Sequence, residues 1–132
     1  MSRPTPNADT RRTLLTGIAN PAGRRDHVVE LTGRVDGSRQ AAVQLRYVPD
    51  RLIIEADGFT AYLRALGVAN WPSLEHLAAA VADDMANELV ARWMQVTVTA
   101  AADGDGFGHA VLVEDRQPRW DNKALLDRLR RF

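Results

Sequence analysis

The chain has 132 residues, 45% of them hydrophobic and 26% charged, with a mean hydropathy of −0.27, the values of one ordinary globular domain. Seventeen basic residues balance seventeen acidic ones, so no general nucleic-acid binding is expected. Cysteine is absent, which excludes disulfides, thiolate metal sites and a cysteine nucleophile. No apolar run reaches membrane-spanning length, and "MSRPTPNADTRR" has no signal-peptide core, so a cytoplasmic protein without a membrane partner is expected. The three histidines, His27, His76 and His109, show neither HxH nor HExxH spacing, and no metal is expected.

Residues 1–8 read as a loose arm. Asp9 is placed to cap a short helix reaching Ile18, which Asn20-Pro21-Ala22-Gly23 ends. "HVVELT" (27–32) reads as a strand, "GRVDGS" (33–38) as a turn, and "QAAVQLRYV" (40–48) as a half-buried strand alternating Val43, Leu45 and Tyr47 with Gln44 and Arg46. "RLIIE" (51–55) is extended, and a helix runs over 58–66 until Gly67. Ser73 is a good N-cap for "SLEHLAAAVADDMANELVARW", where Leu74, Leu77, Val81, Met85 and Leu89 recur at helical spacing. Asp83, Asp84, Asn87 and Glu88 mark its wetter side. "MQVTVTA" (94–100) alternates as a strand, "ADGDGFG" (102–108) is a turn, and "HAVLVED" (109–115) is a strand. Asp121 can cap a last helix.

The order is two strands, two helices, two strands. That predicts an α+β domain over 20–132, after an arm and short helix over 1–19. A four-stranded antiparallel sheet should carry two helices on one face. Its open edges, 27–32 and 109–115, could pair between sister subunits and close a barrel.

"NPAGRRDHVVELT", "YVPDRLIIEADGFTAYL" and "SLEH…WMQV" together resemble the 7-cyano-7-deazaguanine reductases, the nitrile reductases of queuosine biosynthesis (QueF), over roughly residues 20–115. The resemblance implies the tunnelling fold (T-fold), a β-β-α-α-β-β unit whose subunits assemble into barrels. It also implies a cofactor motif at Glu55-Ala56-Asp57-Gly58-Phe59-Thr60-Ala61-Tyr62. There the family's two lysines, associated with NADPH, are replaced by Asp57 and Thr60. An aspartate repels phosphate, so NADPH use of the family type is doubtful and the cofactor is unknown. The family's cysteine loop, whose thiol adds to the nitrile, has no counterpart, and classical nitrile reductase activity is not expected. Asp36, the nearest carboxylate, reads as a turn former before Gly37.

One feature of the family survives. Its glutamate at the start of the second helix, which grips the N–H edge of a purine-like or pterin-like substrate, aligns with Glu75. A carboxylate suits that task because it offers two acceptors to paired N–H donors. Trp71 could stack on such a ligand or simply pack. His76, Glu55 and Asp57 are candidates for the second polar group that catalysis needs. Each also has a structural reading: an exposed helix histidine, a strand end, and a helix cap. Three functions are therefore open. The first is an enzyme on a small heterocycle that forms no covalent thioimide. The second is a non-catalytic ligand-binding or structural paralogue, and the third a divergent NADPH-dependent nitrile reductase.

Overall fold

In the computed structural model, which describes residues 7–37, 40–100 and 108–129, four strands form one antiparallel sheet. They are β2 (Val29–Val35), β3 (Ala41–Val48), β5 (Trp93–Ala100) and β6 (Ala110–Arg116), side by side in that order. The register sets Leu31, Leu45 and Val96 in one row, with Val113 completing it. Because side chains alternate across a strand, the same face also carries Val43, Tyr47, Met94 and Val98. These residues share one core with the helices α2 (Ala56–Val68) and α3 (Leu74–Leu89). Tyr62 and Leu66 of α2 and Leu74, Leu77, Val81 and Met85 of α3 are all fully buried there. Truncating any of these leucines to alanine is a loss of about 2–5 kcal/mol. The expected α+β order and antiparallel sheet are thus present, and β2 and β6 are its two edges.

Local boundaries differ in instructive ways. The first helix, α1 (Ala8–Leu14), is capped by Asn7, whose side chain accepts from the Thr10 amide at 2.9 Å, and not by Asp9. It stops at Leu14, short of Ile18, because residues Gly17–Ala19 form a strand, β1, against β4 (Leu52–Ile54). Strand β2 runs on to Val35, so Gly33 and Arg34 belong to the ladder and not to a turn. Gly33 is there for space: a Cβ on it would lie 2.3 Å from Leu63 Cδ1. Helix α2 begins two residues earlier than expected and continues through Gly67. Asp57 therefore sits inside its first turn and is not the cap, while Glu55 is the cap residue but makes no side-chain cap bond. The last helix, α4 (Lys123–Leu126), is capped by Asn122, not Asp121. The expected turn at 102–108 lies outside the described residues except for Gly108, as do the ends of the arm and of the last helix.

The largest departure concerns Asp84. It was expected on the wet side of its helix, yet it is 1% exposed. Two guanidinium groups of α1 account for this. Arg11 Nε donates to Oδ2 at 3.1 Å and Arg12 Nε to Oδ1 at 2.8 Å. Tyr62 donates its hydroxyl to Oδ2 at 2.5 Å. A buried carboxylate is tolerable only when so surrounded.

The two ends of the sheet differ. At one end Arg92 ties three segments together. Its guanidinium donates to Asp26 Oδ1 at 3.0 Å, to Asp50 Oδ1 at 3.3 Å, and to the carbonyls of Gly23 and Arg25 at 2.6 and 3.2 Å. Asp26 also accepts from Trp120 Nε1 at 3.3 Å and Asn122 Nδ2 at 3.0 Å. Gln117 donates to Asp50 Oδ2 at 3.0 Å. The chain that leaves edge strand β6 is thereby fastened beside the segment that leads into the opposite edge strand, β2. At the other end lie the β2–β3 connection, the end of α2 and the start of α3. There Gly37 and Gly67 allow two backbones to meet: a Cβ on Gly67 would lie 2.1 Å from the Asp36 carbonyl oxygen.

Candidate functional site

Ser73 builds the start of α3 as its sequence predicts. Its Oγ accepts from the His76 amide at 3.1 Å and lies 2.6 Å from Nδ1 of the same residue. His76 is therefore engaged with the cap. One residue before it, Glu75 projects from the first helical turn with its side chain 61% exposed. It stands at the N-terminal end of a 16-residue helix.

Glu75 is not alone there. Its Oε1 lies 2.8 Å from Nε2 of His109, whose side chain is 36% exposed. His109 precedes β6, and its carbonyl accepts from the Ala100 amide at 2.8 Å, so the imidazole is carried by backbone locked to β5. The pair spans the helical layer and the sheet at the end that carries the β2–β3 connection.

Trp71 stands close by in sequence but is committed to the fold. Its indole N–H donates to the Leu66 carbonyl at 2.8 Å. Arg11, the partner of Asp84, lies 5.4 Å from its ring centroid, within cation–π range. These contacts brace the loop that delivers α3.

Glu55 and Asp57 stand elsewhere. They open α2, whose other end, at Gly67, meets Asp36; about 18 Å of helix separates them from the Glu75 end within one chain. Both are exposed. Gly58 beside them is explained by packing: a Cβ on it would lie 2.6 Å from the Leu14 carbonyl oxygen and 3.0 Å from the Thr16 amide nitrogen. The α1–β1 turn passes directly against the first turn of α2. Of the residues singled out from sequence, then, Glu75 and His76 share one helical turn with Trp71 nearby, while Glu55 and Asp57 do not join them. The residue that sequence reasoning missed is His109. Nothing local marks it, because only the pairing of β5 with β6 brings it to α3.

Among the described residues, no cluster of three or more His, Asp or Glu could hold a metal ion. None of the described helices is long and apolar enough to cross a membrane.

No family model and no curated protein matches the chain. Among solved structures it is similar to the archaeosine synthase QueF-Like in its apo form. The TM-score is 0.56 at 16% identity, over 66% of this chain and 91% of that one. At that identity the likeness is one of fold, and the chain has a QueF-like fold.

Proposed function

We propose that this chain is a QueF-like T-fold protein that takes a small flat heterocycle, of purine, deazapurine or pterin type, at Glu75, and acts on it without a covalent cysteine intermediate. The observation that carries this reading is the Glu75–His109 pair, 2.8 Å apart. Glu75 supplies two acceptors for an amide-and-amine edge, and His109 puts a second titratable group within hydrogen-bond reach of the same place. That favours an enzyme over a passive paralogue. NADPH is not part of the proposal, since the resemblance to the nitrile reductases implies that Asp57 and Thr60 take the places of their lysines. The outer edges of β2 and β6, unpaired among the described residues, add a second element: subunits pair through them into a ring or stacked rings, so that a neighbour can complete the site. Light scattering tests that part, and a 14.6 kDa monomer at micromolar concentration refutes it.

The binding test is calorimetry with a panel of purines, deazapurines and pterins on wild type and Glu75→Gln. Glutamine keeps the size but presents a donor where an acceptor is needed. The expected loss is about 2–3 kcal/mol, roughly thirty- to 140-fold in affinity. Equal binding by both proteins removes Glu75 from the site. No binding to wild type removes this class of ligand.

A further inference from the structure

We infer that His109 is the positioning residue of the Glu75 site, holding one carboxylate oxygen so that the other is turned toward an incoming donor edge. This rests on the reading of Glu75 as ligand anchor and names the residue that makes the anchor stiff.

The argument begins from exposure. A glutamate side chain 61% exposed at the first turn of a helix is free to sample many rotamers. An anchor must be in one of them when the ligand arrives, and the cost of fixing a long side chain is taken from the binding energy. His109 Nε2 at 2.8 Å from Oε1 fixes it beforehand. Both ends of that bond sit on firm backbone. Glu75 follows the Ser73 cap, and His109 is held to β5 through the Ala100 amide. His109 approaches the carboxylate through Oε1, which leaves Oε2 to face solvent or a ligand. A carboxylate has about four lone-pair sites, so Oε1 can serve His109 and still accept from a ligand. The result is a fork open to two parallel N–H donors, as on a guanine-type or pterin-type edge. An edge that presents an acceptor at the same point meets only carboxylate lone pairs and is rejected.

The test uses the full chain with His109→Ala and His109→Gln. Glutamine can still donate an N–H to Glu75, whereas alanine cannot. Without any ligand, side-chain NMR couplings of Glu75 should show one dominant χ1 rotamer in wild type and His109→Gln, and averaging in His109→Ala. Equal averaging, or equal order, in all three proteins overturns the inference. With guanine, 7-deazaguanine and neopterin as the molecules titrated, any that binds wild type should bind His109→Ala roughly five- to tenfold more weakly, the weight of ordering one long side chain. It should bind His109→Gln within about twofold to threefold of wild type. Unchanged affinity in His109→Ala overturns the inference while leaving Glu75 as anchor. If wild type takes none of the three, the ligand class is wrong, and the coupling constants alone decide the role of His109.

Discussion

The Tyr62 hydroxyl lies 2.5 Å from Asp84 Oδ2, joining the two core helices through a carboxylate that is 1% exposed. Burial comes first among the causes that push this phenol far above its ordinary pKa, and the Asp84 charge adds to it. A raised folded-state value means a contribution that is intact below the ordinary tyrosine pKa, near 10, and is lost only as pH rises through the folded one. The contact therefore holds throughout the neutral range.

Replacing Asp84 with alanine should remove about 3–5 kcal/mol, because Arg11 is left buried without its carboxylate. Urea denaturation monitored by circular dichroism reads this as a large drop in midpoint at unchanged slope. A loss below about 1 kcal/mol would show that the cluster is no more than a surface ion pair.

Asp26 predicts acid sensitivity. Burial works to raise its pKa, but hydrogen bonds from Asn122, Arg92 and Trp120 together outweigh it, and the net shift is downward. A depressed folded-state value gives stability that is present above the unfolded pKa, about 4, and is lost as pH falls through the folded one. Asp26→Asn should be less stable at pH 7 by about 1.5–3 kcal/mol, the weight of hydrogen bonds to a charged group. It should also lose less stability than wild type between pH 4 and more acid solution. Parallel stability profiles for the two proteins would remove Asp26 from the acid response.

Gly67→Ala sets two effects against each other. Alanine improves helix propensity by about 1 kcal/mol. The new Cβ, however, lies 2.1 Å from the Asp36 carbonyl oxygen, which is backbone and cannot swing aside. Overpacking of this kind costs about 1–3 kcal/mol, so the net change should be destabilising. Thermal melting gives the sign directly, and a stabilised variant would mean that the β2–β3 connection yields easily.

Thr97 offers the opposite case. It is 5% exposed on the sheet face turned away from α2 and α3, and its Oγ1 has no hydrogen-bond partner among the described residues. Gln95 Oε1, two residues earlier on the same face, is in the same condition. Thr97→Val keeps the shape and removes the desolvated hydroxyl, so a gain of about 1–2 kcal/mol is expected. Destabilisation would reveal that the hydroxyl is satisfied in solution, by water or by a neighbouring subunit.

The central strands were legible in the sequence because one buried face imposes a period of two, and Val43, Leu45, Tyr47, Val96 and Val98 obey it. Helix α3 was legible from its cap and its apolar spacing. Strand β1 was not, since three exposed residues carry no periodicity and only pairing with β4 defines them. Gly33, Gly58 and Gly67 resembled turn or cap residues because a glycine needed for close approach looks the same in sequence as one needed for a bend. Asp84 fell on the wrong side because its partners, Arg11 and Arg12, come from a helix far back in the chain. For the candidate site, Glu75 was marked only by the family resemblance, whereas His109 depended on tertiary pairing and left no local mark.

The placement of Arg92 and Glu75 at opposite ends of one sheet separates two kinds of evolutionary pressure. Substitutions around Arg92, Asp26 and Asp50 are constrained by foldedness and should impair every property of the protein together. Around Glu75 and His109 the exposed side chains can be exchanged at little thermodynamic penalty, because the frame that bears them is secured elsewhere. Sequence can therefore change at one pole while the contacts at the other keep the fold intact.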